Sequence, residues 1–167
     1  MKLYMKEHVL SAIDRFTVKN ELEEDCYQVH GDRIVVGGKK LHIEDMTGRE
    51  IAMVQQKLLS LRPKFFVFKD GQQVAEIIKK ISMLKAKYLI AGPGWEVKGS
   101  ILNHDYIITE NGEEVVRLHK AWLSWGSCYE IDISDRTDEA MALAVVLAID
   151  CVLAAQAESS HMPNETE

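Results

Sequence analysis

The stretch Glu139–Ala157, EAMALAVVLAIDCVLAAQA, is apolar on every side of a helix, and it ends a chain otherwise written in short alternating strands. A helix without a polar stripe belongs either in a bilayer or in the middle of a protein core. A membrane span needs roughly 20 mostly apolar residues, yet Asp150 interrupts this run and Gln156 follows Ala155. An Asp near mid-helix costs about 2.5–3.5 kcal/mol on insertion. No Lys or Arg follows Arg136, so the distal end has no cationic anchor. At the proximal end Asp135 or Thr137 can cap, and Asp138 and Glu139 fall in the first turn, where the helix dipole favours negative charge. The core reading is therefore preferred over a span.

A helix buried on all faces must be enclosed, and one layer of sheet cannot do it. The sheet has to curl round. The alanines at 140, 142, 144, 148, 154 and 155 suit a narrow lumen in which strands approach closely. Asp150 is expected near the barrel mouth or among hydrogen-bond donors, because an unpartnered buried carboxylate is costly. The competing reading makes it a catalytic acid in an apolar cavity.

From residue 3 to 133 the chain reads as about a dozen strands divided by turns. They fall near Leu3–His8, Phe16–Lys19, Cys26–His30, Arg33–Val36, Lys40–Glu44, Glu50–Leu58, Lys64–Lys69, Gln73–Lys79, Lys87–Ala91, Trp95–Lys98, Asp105–Thr109, Glu113–Trp122 and Cys128–Ile133. Asp70-Gly71 and Asn111-Gly112 between apolar runs are strong hairpin signals. Units opening at Gly48, Gly71 and Gly112 echo one another: turn glycine, two polar residues, a β-branched strand and a cation. Each precedes a more apolar strand, Phe65–Phe68, Tyr88–Ile90 and Tyr129–Ile133. Repeated hairpins of one design suit a closed antiparallel barrel, since closure removes exposed edges. The expected organisation is a single barrel domain over 1–157, a mainly β (α+β) fold, with a disordered tail at 158–167.

With 167 residues, one domain can bury a substantial core. Cys26, Cys128 and Cys151 are odd in number and lack C-x-x-C spacing, which fits buried thiols in a reducing compartment. The start, MKLYMKEHVL, offers no apolar core for a signal peptide. The expected location is cytoplasmic, peripheral to a membrane. Net charge is −6, which disfavours general nucleic-acid affinity. From Lys57 to Lys98, however, nine cations face three acids. Such asymmetry marks either a face for an anionic partner or a solvated rim of strand ends.

Motifs for chemistry are weak. The histidines lack metal-ligand spacing, Ser127 lacks a nucleophile elbow, and no phosphate-cradling glycine loop opens a helix. No catalytic residue, metal or cofactor is assigned. Trp95, Trp122 and Trp125 read as core or barrel-mouth packing; an interfacial belt would need them to share one end with the basic segment.

The chain resembles the LURP-one-related family of the Tubby C-terminal-like superfamily, which also holds phospholipid scramblases. The residues that carry the likeness are Phe16-Thr-Val18, Cys26-Tyr-Gln-Val29-His-Gly31, Gln56-Lys57-Leu-Leu-Ser-Leu-Arg62-Pro63, Trp95-Glu-Val97-Lys-Gly99-Ser100, Tyr106-Ile-Ile108 and Ala142–Asp150. The resemblance covers about Leu3 to Ala157 and implies a twelve-stranded barrel around a central hydrophobic helix. Tubby-like members bind phosphoinositide head groups and scramblases act on bilayers. The palmitoylated cysteine cluster, proline-rich arm and calcium-ligand segment of scramblases are missing here, and no lipid site is carried over. The functional expectation is a non-enzymatic module that docks anionic phospholipid or phosphoinositide head groups on Lys57, Arg62, Lys64, Lys79 and Lys80. The alternative is a small-ligand carrier or enzyme with a pocket at the barrel mouth near Asp150, Trp95 and Trp122. Oligomeric state is left open.

Overall fold

The computed structural model describes residues 1–6, 15–32, 38–60, 63–81 and 86–160. The expected strand Arg33–Val36 and the candidate Arg62 lie outside them. Twelve strands form one closed antiparallel barrel in simple chain order, β12 pairing with β1. They are β1 (Lys2–Lys6), β2 (Phe16–Lys19), β3 (Asp25–Gly31), β4 (Lys40–Asp45), β5 (Glu50–Gln56), β6 (Phe65–Lys69), β7 (Gln72–Ile81), β8 (Ala86–Ala91), β9 (Trp95–Ser100), β10 (Asp105–Glu110), β11 (Glu113–Leu123) and β12 (Gly126–Ile133). Helix α1 (Glu139–Ser160) follows and runs three residues beyond the expected apolar stretch, into what was read as tail.

Alternation puts one face of each strand inward. Val54, Phe65, Val67, Ile77, Ile90 and Ile108 are all essentially inaccessible to solvent. Every residue from Ala142 to Ile149 has zero exposure, so eight consecutive helical positions are enclosed. By length and composition α1 could cross a bilayer, but here its apolar faces are covered by strands. It leans towards β5, β6 and β7, where inward-facing Ala52 and Ala75 leave room for the backbone.

The residue that caps the helix is Asp138, not Asp135 or Thr137. The Asp138 carboxylate accepts the Met141 N–H at 2.9 Å, and its carbonyl accepts the Ala142 N–H at 2.9 Å. Lys69 also pairs with Asp138, and Tyr27 donates to Glu139 at 2.5 Å. These contacts tie the first turn of α1 to the wall.

The hairpin signals translate directly into backbone. Asp70 and Gly71 have φ of 50° and 74°, and Asn111 and Gly112 have 51° and 87°. Both pairs carry the double positive φ that matches the twist of the flanking strands. The three echo units are β5, β7 and β11, each continuing into β6, β8 and β12. β5 stops at Gln56 rather than Leu58, because Leu59 takes a left-handed φ of 54° and breaks the strand.

Gly92 makes the closest backbone approach. Its φ is 111°, and a Cβ there would sit 2.2 Å from the carbonyl oxygen of Val74. Gly92→Ala should cost about 1–3 kcal/mol from backbone strain, with the clash adding to it. Thermal denaturation checks this; an unchanged melting temperature would contradict the geometry.

Candidate functional site

In a barrel whose strands alternate in direction, connections leaving even-numbered strands share one rim and those leaving odd-numbered strands the other. α1 enters after β12, at the first. This entry rim is acidic. A cavity of about 430 Å³ there is lined by Asp45, Glu50, Asp70, Asp138 and Glu139 together with Arg49 and Lys69. The Thr47 hydroxyl and the Arg49 and Thr47 N–H groups hold the Asp45 carboxyl down to about 2.

The opposite, exit rim is basic. The β3–β4 and β5–β6 connections lie side by side. Gln56 N–H donates to the Lys39 carbonyl at 2.8 Å, and Lys39 N–H to Gln56 Oε1 at 3.2 Å. Gly38 permits this contact: a Cβ would stand 2.7 Å from the Gln56 carbonyl oxygen and 3.3 Å from Leu58 Cδ2. Lys39, Lys40 and Lys57 are thereby gathered on one rim. Lys57 N–H bonds the Lys64 carbonyl at 2.9 Å, and the Lys57 ammonium lies 5.7 Å from the Phe66 ring centre. Lys64 is paired with Glu76 at 3.1 Å, so its charge is partly offset. In β7 and β8, Lys79 is the register partner of Tyr88 and Lys80 of Lys87.

The chain segment 57–98 is thus not one face. Lys57, Lys64, Lys79 and Lys80 approach the exit rim, whereas Lys69 lies at the entry rim on Asp138. Lys39 and Lys40 belong with the exit cations although they precede that segment. The turn signal Gly37-Gly38, immediately before two lysines, marks this place in the sequence.

Large exposed apolar side chains also gather at the exit rim. Leu58 and Leu59 are 53% and 105% exposed in the β5–β6 connection; Leu102 is 81% exposed between β9 and β10; Trp122 is 80% exposed near the end of β11. Leu59 is additionally held in the left-handed region, which costs a γ-branched residue about 1–2 kcal/mol.

The β2–β3 hairpin departs from the two-rim pattern. β1 and β2 meet at the single bridge Tyr4–Lys19, and Glu23 reaches across to accept the Ser124 hydroxyl at 2.5 Å. A second cavity, about 600 Å³, opens beside this hairpin between Lys6, Arg15, Lys19, Glu23, Asp25 and Trp125. Within it Lys19 pairs with Asp25, and Arg15 donates to the neutral Gln28 Oε1 at 2.9 Å.

The mouth pocket expected from Asp150, Trp95 and Trp122 is not assembled. Trp95 is buried at the entry rim and donates to Glu110 at 3.1 Å, while Trp122 projects from the exit rim. Asp150 is enclosed, and neither carboxylate oxygen has a hydrogen-bond partner. His104 Nε2 lies 3.3 Å from Oδ1 without hydrogen-bond alignment. His104 ends the short 3-10 turn Ile101–Asn103 in a left-handed conformation, which lays its ring against Tyr129 with centroids 4.6 Å apart. Burial pushes the Asp150 carboxyl up, and His104 offsets part of that rise. On the outer wall His30 and His42 stack at 5.2 Å. His42 is held by Asp32 at 3.0 Å and Glu50 at 2.5 Å, and His30 by Glu44 at 3.0 Å. Burial opposes a charge on His42, but its two carboxylates outweigh it and raise its pKa. Cys128 is buried; Cys26 and Cys151 are half-buried, and all three are free thiols.

A family model described as LURP-one-related matches residues 1–150. The chain is 30% identical over 153 residues to the uncharacterized protein YxjI of Bacillus subtilis (strain 168), covering 92% of this chain and 94% of that protein. The X-ray structure of a protein from Arabidopsis thaliana superposes with a TM-score of 0.61 at 15% identity, covering 91% of each chain. At that identity the likeness concerns the fold.

Proposed function

The chain belongs to the LURP-one-related family, and from that premise we propose that it is a non-enzymatic binding module whose exit rim docks anionic phospholipid head groups. On this reading it works in the cytoplasm, peripheral to a membrane. One observation carries it: hydrogen bonds between two neighbouring connections bring Lys39, Lys40 and Lys57 onto one rim, while acids collect at the other. Such a charge dipole orients the barrel before contact. Each Lys near an anionic surface contributes about 1 kcal/mol, so the rim cations together support reversible attachment. Lys64, Lys79, Lys80 and Arg62 complete the proposed set.

Co-sedimentation with vesicles tests this. The protein is expected to pellet with phosphatidylcholine vesicles containing phosphatidylserine or phosphoinositide and to stay in solution with phosphatidylcholine alone. Lys40→Ala and Lys57→Ala should each weaken binding about fivefold, and raised salt should weaken it further. Equal recovery with neutral and anionic vesicles removes the proposal.

A further inference from the structure

Four large apolar side chains, Leu58, Leu59, Leu102 and Trp122, project into solvent from the β5–β6 connection, the β9–β10 connection and the end of β11, all on the rim that carries the lysines. Scattered exposed leucines need no explanation, but four such side chains on one rim beside its lysines mark a contact surface. Of the other large exposed apolar residues, Met1 and Met46 at the entry rim are each 47% exposed, and Leu22 in the β2–β3 turn is 77% exposed but stands among the acids Glu21, Glu23 and Glu24. We infer that these side chains insert into the acyl boundary of an anionic membrane, with Leu58-Leu59 as the deepest point and Trp122 at head-group level. The inference rests on the docking reading above and adds to it the residues that enter the bilayer and the direction of approach.

Three features favour a lipid surface as the occupant. Charge is complementary, since Lys39, Lys40 and Lys57 flank Leu58 and Leu59 and would meet phosphate as the leucines pass below it. The apolar contacts are points on two separate connections and one strand end, suited to a fluid, roughly planar partner. Leu59 is held away from the barrel by its own left-handed backbone, so it forfeits packing on the wall and lies fully exposed at the tip. An amphipathic residue such as Trp favours the interface between head groups and chains, and the rim position of Trp122 agrees with that depth.

The experiment uses the full chain with the double variant Leu58→Ser, Leu59→Ser, beside Lys57→Glu, on vesicles of phosphatidylcholine with and without phosphatidylserine. Both leucines are solvent-exposed, and circular dichroism should show an unchanged fold. The double variant is expected to bind anionic vesicles at least about tenfold more weakly with every lysine intact. Tryptophan emission should shift to the blue on vesicle binding and be quenched by brominated acyl chains, and Trp122→Phe should remove most of that change. If wild type binds and the double variant binds equally well, the contact is electrostatic alone; insertion is then refuted while the docking reading stands. If wild type ignores anionic vesicles, both fall. If the wild type instead forms a dimer that the serine substitutions dissolve, a second copy covers this rim and insertion is refuted.

Discussion

Leu147→Asp should leave no folded protein. Leu147 is completely enclosed midway along α1, in a run whose neighbours are also inaccessible. An unpaired carboxylate there would bear a desolvation cost of several kcal/mol or more, against a total stability of about 5–15 kcal/mol for an ordinary domain. Lost packing adds to it. Leu147→Ala, which removes only volume, should cost about 2–5 kcal/mol, lowering the melting temperature by roughly 4–20 °C at this chain length. Circular dichroism and urea titration of the two variants provide the check. A cooperative transition for Leu147→Asp near that of the wild type would show that the helix is dispensable to the barrel, and the enclosing architecture would be wrong.

The second large effect concerns the Asp150–His104 contact inside the exit rim. His104→Ala should destabilise the protein at neutral pH by about 1–3 kcal/mol, because it removes the polar ring that offsets part of the burial of the Asp150 carboxyl. Asp150→Leu should be neutral or stabilising, since His104 is partly solvent-exposed and can turn to water, whereas Asp150 cannot. The pH dependence has a definite sign. The Asp150 carboxyl is raised in the folded state, chiefly by burial, so native protein binds its proton more tightly than unfolded chain does. Its contribution to stability is complete below about 3.8, the ordinary value, and is lost as pH rises through the folded value. Removing His104 raises that folded value further. The stability gap between wild type and His104→Ala should therefore widen from pH 4 to pH 8, and it should flatten when both chains also carry Asp150→Asn. A gap independent of pH would mean that His104 acts through packing on Tyr129 alone.

Much of the architecture was legible because it rests on local chemistry. The all-round apolarity of Ala142–Ile149 required enclosure, and alternation in segments such as Tyr129–Ile133 gave each strand one dry face. Asp70-Gly71 and Asn111-Gly112 could be read as hairpins because few other residue pairs accept two successive positive φ values. The cap was misplaced by one to three residues, since Asp135, Thr137 and Asp138 are chemically alike there; the Met141 N–H selected Asp138.

The candidate site was less legible, for a geometric reason. An antiparallel meander sends successive turns to opposite rims, so cations close in sequence part company, as Lys64 and Lys69 do. Residues distant in sequence meet only once the sheet closes. Lys39 and Lys57 join through Gln56, and Asp150 meets His104 because α1 threads the barrel to the level of the β9–β10 turn. Residue chemistry alone thus determined that this chain must wrap its strands around its last helix, because hydrophobicity and turn preference act over a few neighbouring positions. Which charges share a rim, which leucines stand clear of the wall and which carboxylate is left without hydrogen bonds were decided by closure, because those depend on direction and register summed over all twelve strands.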